Sequence, residues 1–194
     1  MASLIEELDA SLRSITEHDP RVLAGGYLGM VLGSGLGDFV ESLEDRVEIP
    51  YGDLVGFQST TVEGHHGNLC IGTLSGQLVV VMRGRVHAYE GHGADAVVRG
   101  VRTLVHGGAK AIILTNAAGG LDPSFAVGDL MMIRDHINLS GMNPLVGTRS
   151  LELGPRFPDM TFAWTPALRA ALKRDPWLDE VGAAGRPRWG PYVG

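Results

Sequence analysis

Residues that could do chemistry are concentrated directly after one apolar segment of the chain. Residues 79–82 are uninterruptedly apolar and predict a strand that is buried on both faces. Residues 83–92, which follow, include two arginines, two histidines, a tyrosine and a glutamate. Ligands of parallel α/β sheets bind outside the carboxyl ends of the strands, so this placement predicts a site. The alternative interpretation is a solvated turn with ordinary surface ion pairs.

A second candidate segment is rich in glycine. Residues 27–32 predict a short buried strand, and residues 33–37 continue as Gly-Ser-Gly-Leu-Gly. Such a turn exposes backbone N–H groups that can cradle a phosphate, and Ser34 adds a hydroxyl donor. A structural turn and a dinucleotide-binding turn are the alternatives. The dinucleotide fold requires an acidic residue further on, and Glu48 fits poorly because Pro50 follows it closely.

A third candidate segment follows another apolar run. The apolar residues within 94–106 recur at helical spacing, and residues 111–114 predict a further, fully buried strand. This helix connects the strand at 79–82 to the one at 111–114 by a right-handed crossover, which makes the two strands a parallel pair. The small residues 115–123 therefore lie at the same sheet edge as residues 83–92, and the two segments support a single site.

Histidine and aspartate residues elsewhere offer weaker candidates. His65 and His66 are adjacent, so they point to opposite sides of a strand and make a poor chelate for a metal ion. We therefore predict no metal site. Asp135 and His136 follow a strand predicted at 130–133; they could act as an acid–base pair, although a hydrogen-bonded structural pair is the simpler interpretation.

The remaining segments supply a scaffold for these residues. Helical spacing predicts a packing helix over 2–17, and strands at 69–73 and 77–82 form a hairpin around Ser75-Gly76. Thr165 and Pro166 predict the start of a helix that runs to about Lys173. The glycines and prolines of residues 180–194 predict an irregular tail. Alternating strands and helices predict an α/β fold in one domain over 1–194.

Composition limits the classes of function. The 194 residues are 44% hydrophobic and 20% charged, which is ordinary for a soluble globular protein, but the 28 glycines are about twice the usual share. A net charge of −6 without a basic run argues against nucleic acid or an anionic membrane as partner. The single cysteine, the lack of a membrane span and the lack of a signal pattern favour a cytoplasmic protein.

Five motifs, in this order over residues 28–160, closely resemble the homotrimeric, low-molecular-mass family of purine nucleoside phosphorylases. They are Gly33-Ser34-Gly35-Leu36-Gly37, Gly64-His65-His66-Gly67, Gly84-Arg85-Val86-His87-Ala88-Tyr89-Glu90-Gly91, Thr115-Asn116-Ala117-Ala118-Gly119-Gly120-Leu121, and Asp135-His136-Ile137-Asn138-Leu139 with Asn143-Pro144-Leu145. Methylthioadenosine phosphorylases share the glycine turn and are kept as an alternative. The Tyr89-Glu90-Gly91 run favours the purine nucleoside branch.

The resemblance implies a fold, a reaction and an assembly. The fold is a phosphorylase-type α/β structure with a mixed, largely parallel central sheet flanked by helices. The reaction is phosphorolysis of purine nucleosides such as inosine and guanosine, giving free base and ribose 1-phosphate in purine salvage. Inorganic phosphate is a co-substrate, no cofactor is needed, and the chains form a homotrimer.

The resemblance also implies roles for individual residues. His87 and Glu90 are the catalytic pair, in which Glu90 orients the histidine. Phosphate would be bound by five groups: Ser34, His65, Arg85, His87 and the backbone N–H of Ala117. The ribose or nucleoside would be contacted by Tyr89, Asn116, Ala117, Ala118 and Phe157. Of these, Phe157 would reach in from a neighbouring subunit.

The sequence departs from the family after about two thirds of a typical family chain. The family's glycine-proline motif with the purine-binding glutamate, a methionine at the ribose, a base-binding asparagine and a late histidine have no counterpart here. Without the groups that hold the purine, we expect phosphate binding with reduced or absent turnover. The alternative function is a non-catalytic, phosphate-binding module that assembles with itself or with full-length subunits.

Overall fold

The computed structural model describes residues 2–59, 67–147, 149–174 and 188–193. The chain divides into two compact units. The first comprises Met1–Ala117 and Pro144–Leu153, and the second comprises Ala118–Asn143 and Gly154–Gly194. The single domain expected from the sequence stays a prediction, because two compact units can belong to one domain. Within the described ranges, no helix is long and apolar enough to cross a membrane.

Over its described residues, the first unit contains a five-stranded sheet and two α-helices. The helices are α1 (Leu4–His18) and α2 (Ala94–His106). The strands are β1 (Leu28–Leu32), β2 (Glu44–Pro50), β3 (Asn68–Leu74), β4 (Gln77–Arg83) and β5 (Ala111–Leu114). The second unit contains β6 (Met131–Ile137), α3 (Pro166–Arg174) and β7 (Arg188–Val193).

The strand order of the sheet is β2-β3-β4-β1-β5. Strands β2, β3 and β4 pair antiparallel in sequence order, which confirms the predicted hairpin of β3 and β4. Strand β1 pairs parallel with both β4 and β5. The strands β4 and β5 are therefore parallel, as expected from the crossover, but β1 lies between them. The predicted α/β class with a mixed sheet is confirmed.

Helix α1 packs against α2 through an apolar stripe that its sequence encodes. Ser3 caps the helix by accepting the backbone N–H of Glu6 at 3.1 Å, while the Glu6 carboxylate accepts the backbone N–H of Ser3 at 2.7 Å. This reciprocal capping box satisfies two of the donors that a helix start leaves unpaired. The buried side chains Leu4, Leu8 and Ile15 recur at helical spacing and face the core.

Burial differs between the two strands that the sequence predicts to be covered on both faces. Val79, Val80 and Val81 in β4 are buried, which confirms the expectation for that strand. In β5 the expectation is wrong, because Ile113 is 44% exposed and Leu114 is 46% exposed. Among the strands that the structure describes, β5 stands last in the sheet order, next to β1. A strand is buried on both faces only where further layers cover it.

The second unit pairs β6 with β7 in parallel. Strand β7 lies within residues 180–194, for which glycine and proline content predicts an irregular tail, so the structure differs from the sequence there. The register of the pair shifts between Ile133 and Asp135, and Pro191 lies opposite Asp135. Proline lacks an N–H and is tolerated in sheets at edges and irregularities of this kind, so pairing with β6 overrides the local preference.

Candidate functional site

Three loops leave the sheet at one edge. Leu32 at the end of β1 lies opposite Arg83 at the end of β4, and Val31 lies opposite Leu114 at the end of β5. The carboxyl ends of three parallel strands therefore adjoin, and the glycine turn, the Arg85 loop and the Thr115 segment start there. The prediction that residues 83–92 and the segment after β5 start at the same sheet edge is confirmed.

The glycine turn lies directly against the segment after β5. The backbone N–H of Gly33 donates to the Thr115 hydroxyl at 2.9 Å, and that hydroxyl donates to the carbonyl of Val31 at 3.0 Å. Glycine is required at position 33 for space: a Cβ placed there would lie 2.8 Å from the Cα of Asn116. The close approach of these two backbones fixes the turn beside residues 115–117.

Arg85 faces the same segment. Its guanidinium donates to the Thr115 carbonyl at 2.8 Å. The preceding Gly84 has a φ of +97°, a left-handed conformation that favours glycine. The hydroxyl of buried Tyr51 donates to the Gly84 carbonyl at 2.7 Å, which holds the start of this loop from the core side.

Arg83 is directed differently from Arg85. Its guanidinium lies 3.7 Å from Glu48 and 3.9 Å from Asp38 and Glu41. Glu48 also forms an ion pair with Arg46 at 3.1 Å. The structure thus separates two arginines that the sequence places in one cluster, and it leaves Arg85 as the cation that contacts the Thr115 segment.

His87, Tyr89 and Glu90 form a compact group around a short 3-10 helix, Ala88–Glu90. The Glu90 carboxylate, whose side chain is only 4% exposed, accepts the His87 backbone N–H at 2.7 Å and lies 3.1 Å from its Nδ1. The carboxylate beside Nδ1 fixes the orientation of the imidazole ring. The Tyr89 ring is stacked on the imidazole at 4.7 Å and is 74% exposed.

The other residues of the predicted site fall in different places. In the first unit, Ser34 on the glycine turn and Ala117 after β5 are exposed, and the Asn116 side-chain amide donates to the Ala117 carbonyl at 3.2 Å. Ala118 and Phe157 belong to the second unit, and the Phe157 side chain is 88% exposed. His65 lies outside the described residues. The roles assigned to all these residues stay predictions.

Asp135 and His136 lie in the second unit. The Asp135 carboxylate accepts the backbone N–H of His136 at 2.8 Å. The imidazole is stacked on Trp164 at 5.3 Å and meets Tyr192 edge-on at 5.8 Å. These contacts favour the structural interpretation of the pair over the acid–base one.

The chain path argues against a dinucleotide-binding turn. The residues after the glycine turn form a short 3-10 helix, Gly37–Ser42, and then the antiparallel strand β2. A dinucleotide fold would continue with a long helix and a second parallel strand. Among the described residues, no group of three His, Cys, Asp or Glu side chains is placed to hold a metal ion.

Two residues of the site are not identifiable from sequence patterns. Thr115 opens a run of small residues, but its hydroxyl contacts Gly33 and Val31, more than 80 positions earlier in the chain. Tyr51 contacts Gly84 across strands β3 and β4. A single sequence contains no periodicity that reports such long-range hydrogen bonds.

Known proteins similar to this chain agree on one family. A family model described as "Phosphorylase superfamily" matches residues 27–189. Purine nucleoside phosphorylase 1 of Geobacillus stearothermophilus is 49% identical over 166 residues, which cover 86% of this chain and 59% of the relative. Purine nucleoside phosphorylase of Bos taurus is 43% identical over 185 residues, which cover 94% of this chain and 61% of the relative.

Solved structures show the same likeness. The purine nucleoside phosphorylase of Schistosoma mansoni in complex with inosine superposes with a TM-score of 0.84 at 37% identity, covering 97% of this chain and 65% of that one. A schistosoma purine nucleoside phosphorylase in complex with hypoxanthine gives a TM-score of 0.86 at 36% identity, covering 100% of this chain and 68% of that one. This chain spans 47% to 62% of the length of the curated relatives that it matches.

Proposed function

Since the chain belongs to the phosphorylase superfamily, we propose that it provides the phosphate-binding and ribose-binding part of a purine nucleoside phosphorylase active site. The observation that carries the proposal is the contact of Arg85 with the segment after β5, beside the glycine turn. These three segments place a permanent cation, a hydroxyl and exposed backbone amides at one sheet edge. That combination suits a phosphate dianion.

The chemistry follows from what the relatives bind. Inosine, hypoxanthine and ribose 1-phosphate occur in solved structures of purine nucleoside phosphorylases similar to this chain. Phosphate attack on the anomeric carbon of inosine breaks the bond to the base, and the bonding electrons leave with the purine. The products are ribose 1-phosphate and, after protonation, hypoxanthine. We therefore propose inosine-type nucleosides and phosphate as substrates and expect no cofactor.

The side chains of the first unit have distinct parts in this scheme. Arg85 would bind two phosphate oxygens and offset their charge, while Ser34 and the Ala117 N–H would donate to the same anion. Glu90 would keep the His87 ring in one orientation, with Nε2 towards a phosphate or ribose oxygen. Tyr89, stacked on that ring, would supply an apolar face to the sugar. Positioning and electrostatic stabilisation would together lower the barrier.

A homotrimer is part of the proposal. The exposed Phe157 side chain supports it, since an aromatic residue in water gains free energy when another subunit covers it. In this arrangement each ribose site would receive Phe157 from a neighbour. Sedimentation of the purified protein in phosphate buffer would give a trimer mass.

A second candidate function is a non-catalytic, phosphate-binding module. Ser34, Arg85 and His87 all lie in the first unit, and a module that uses only these groups would bind phosphate without cleaving inosine. The two candidates therefore agree on phosphate binding and differ on turnover.

The test pairs two arginine variants. Phosphate affinity is measured by titration calorimetry for the parent protein, Arg85→Gln and Arg83→Gln. Loss of a charge-assisted contact should weaken binding by roughly tenfold or more in Arg85→Gln. Arg83→Gln removes the same charge two positions earlier, where the guanidinium faces Asp38, Glu41 and Glu48, and should leave the affinity nearly unchanged.

Hypoxanthine formation from inosine and phosphate then separates the two candidates. Turnover supports a phosphorylase, and phosphate binding without turnover supports the non-catalytic module. Equal phosphate affinity in the parent and Arg85→Gln would contradict both.

A further inference from the structure

Thr115 contacts two segments of the proposed phosphate site at once. Its hydroxyl accepts the backbone N–H of Gly33 at 2.9 Å, and its carbonyl accepts the Arg85 guanidinium at 2.8 Å. Two positions further along lies Ala117, whose backbone N–H is the third expected donor to the anion. Thr115 therefore touches or adjoins three of the groups that are expected to hold the phosphate: the turn that carries Ser34, the Arg85 side chain and the backbone N–H of Ala117.

We propose that Thr115 is the positioning residue that sets the spacing between the glycine turn, which its hydroxyl holds, and Arg85, which its backbone carbonyl holds. The inference rests on the proposed phosphate site and adds a residue to which no role in the reaction has been assigned. Thr115 acts through other groups: it aligns Ser34 on one side and Arg85 on the other. Thr115 would thus fix the relative positions of groups that bind the anion, without itself contacting the anion.

The hydroxyl uses both of its hydrogen-bonding capacities. It donates to the Val31 carbonyl at 3.0 Å while it accepts from Gly33. The Val31 carbonyl has a second donor, because the Thr115 backbone N–H also lies 3.0 Å from it. Removing the hydroxyl would leave Val31 with that partner, whereas the Gly33 N–H would lose the bond described here. Removing the Thr115 hydroxyl therefore weakens the attachment of the glycine turn.

The close packing of Gly33 against residues 115 and 116 makes the position of the glycine turn sensitive to substitution. Gly33 lies so close to residues 115 and 116 that a Cβ would meet the Thr115 carbonyl oxygen at 2.9 Å and the Asn116 Cα at 2.8 Å. Without the hydroxyl the turn has no partner for its first N–H and shifts to reach water or another acceptor. Small displacements of positioned groups are costly, since about 1 Å can reduce rates roughly a hundredfold.

The test uses three substitutions that differ in the hydroxyl. Thr115→Val keeps the shape and removes the hydroxyl, while Thr115→Ser keeps the hydroxyl and removes a methyl group. We expect inorganic phosphate to bind Thr115→Val about ten- to a hundredfold more weakly than the parent and Thr115→Ser within about threefold of it. Thr115→Cys, whose thiol is a weak hydrogen-bonding group, gives the same comparison if Thr115→Val does not fold.

A purely structural role is distinguished by coupling to Ser34. In the parent, Ser34→Ala should weaken phosphate binding, because the turn presents its hydroxyl to the anion. In the Thr115→Val background the turn is displaced, so Ser34→Ala should have a much smaller effect on the phosphate affinity. Unfolding in urea, without phosphate, measures the stability of each variant separately.

The measurements distinguish the positioning role of Thr115 from the presence of the phosphate site itself. Weaker binding in Thr115→Val, retained binding in Thr115→Ser and non-additivity with Ser34→Ala support the positioning role. Equal phosphate affinity in the parent and Thr115→Val, or equal losses in the valine and serine variants, overturns the positioning role and leaves the phosphate site in place. Absence of phosphate binding by the parent overturns both.

Discussion

Two buried tyrosines allow a matched test of how the site is supported. Tyr51 donates its hydroxyl to the Gly84 carbonyl at 2.7 Å, and Tyr27 donates to the Leu104 carbonyl at 2.8 Å. Both rings are buried. The Gly84 bond lies at the carboxyl end of β4, next to Arg85, whereas Tyr27 precedes β1 at the opposite end of the sheet. Replacing either tyrosine by phenylalanine removes one hydroxyl and keeps the ring.

Both variants should lose stability. A buried hydroxyl-to-carbonyl bond contributes about 1 kcal/mol, and leaving its acceptor without a partner raises the cost to about 2 kcal/mol. The Leu104 carbonyl keeps the backbone N–H of Ala109 at 3.1 Å, so Tyr27→Phe should cost about 1 kcal/mol and Tyr51→Phe at least as much. For a chain of this size, each kcal/mol lowers Tm by about 2–4 °C. Phosphate affinity should respond differently, because only Tyr51→Phe loosens the backbone before Arg85. We expect roughly three- to tenfold weaker binding in Tyr51→Phe and no change in Tyr27→Phe.

The assays are urea unfolding and phosphate titration of the two variants and the parent. If Tyr51→Phe loses as much stability as Tyr27→Phe and binds phosphate as tightly as the parent, support of the Arg85 loop by Tyr51 is refuted. A loss of affinity in Tyr27→Phe would equally refute the assignment, because that hydroxyl is at the other end of the sheet.

The pH dependence of stability gives an independent check of the same hydroxyls. Burial raises the pKa of Tyr27 to about 12 and also raises the pKa of Tyr51. Unfolded tyrosine ionises near pH 10, so its stabilising contribution is complete below about pH 10 and is lost as the pH rises towards the folded pKa. Each phenylalanine variant should therefore show a flatter decline in the free energy of unfolding above about pH 10.

Three further predictions concern other parts of the first unit. Hydrogen bonds from the Arg21 side chain lower the pKa of Asp19, so the parent gains stability from this carboxylate above about pH 4 and loses it in more acidic solution. Asp19→Asn should remove that contribution. Urea unfolding measured against pH checks this. Gly33→Ala should cost about 1–3 kcal/mol and abolish phosphate binding, because its Cβ meets the backbone of Asn116. Burial raises the pKa of the Cys70 thiol to about 12, so a thiol reagent at pH 8 should modify it only at the rate of unfolding.

Controls for these predictions come from the same chain. Gly93→Ala introduces a Cβ that meets nothing within 4 Å, at a φ of −69°, so it should leave phosphate binding intact. Rapid modification of the folded protein by the thiol reagent would contradict the burial of Cys70.

Local patterns predict much of the first unit. The apolar spacing of residues 94–106 and the run at 111–114 give α2 and β5 with the bounds that the structure shows. The hairpin of β3 and β4 also follows from sequence, because its turn and its two apolar runs are local. Three of the motifs place their residues at one sheet edge, since parallel strands bring their carboxyl ends together.

Long-range features are not encoded in such patterns. The position of β1 between β4 and β5 depends on pairing across the whole first unit. The exposure of Ile113 and Leu114 depends on which layers cover β5, and an apolar run does not report its cover. Strand β7 forms through pairing with β6, against the local preferences of Gly190 and Pro191. The contacts of Thr115 and Tyr51 are likewise long-range and are not predicted by local sequence patterns.

The central place of β1 has a consequence for the order in which the protein folds. Strands β2, β3 and β4 can associate early as neighbours along the chain, whereas Leu28 must find both Val79 and the much later Ala111. Closing such long loops is slow because chain entropy opposes it. The proposed phosphate site at the carboxyl ends of β1, β4 and β5 would therefore form in the last kinetic step of folding. An anion that binds only this completed site would slow unfolding and leave the rate of folding almost unchanged.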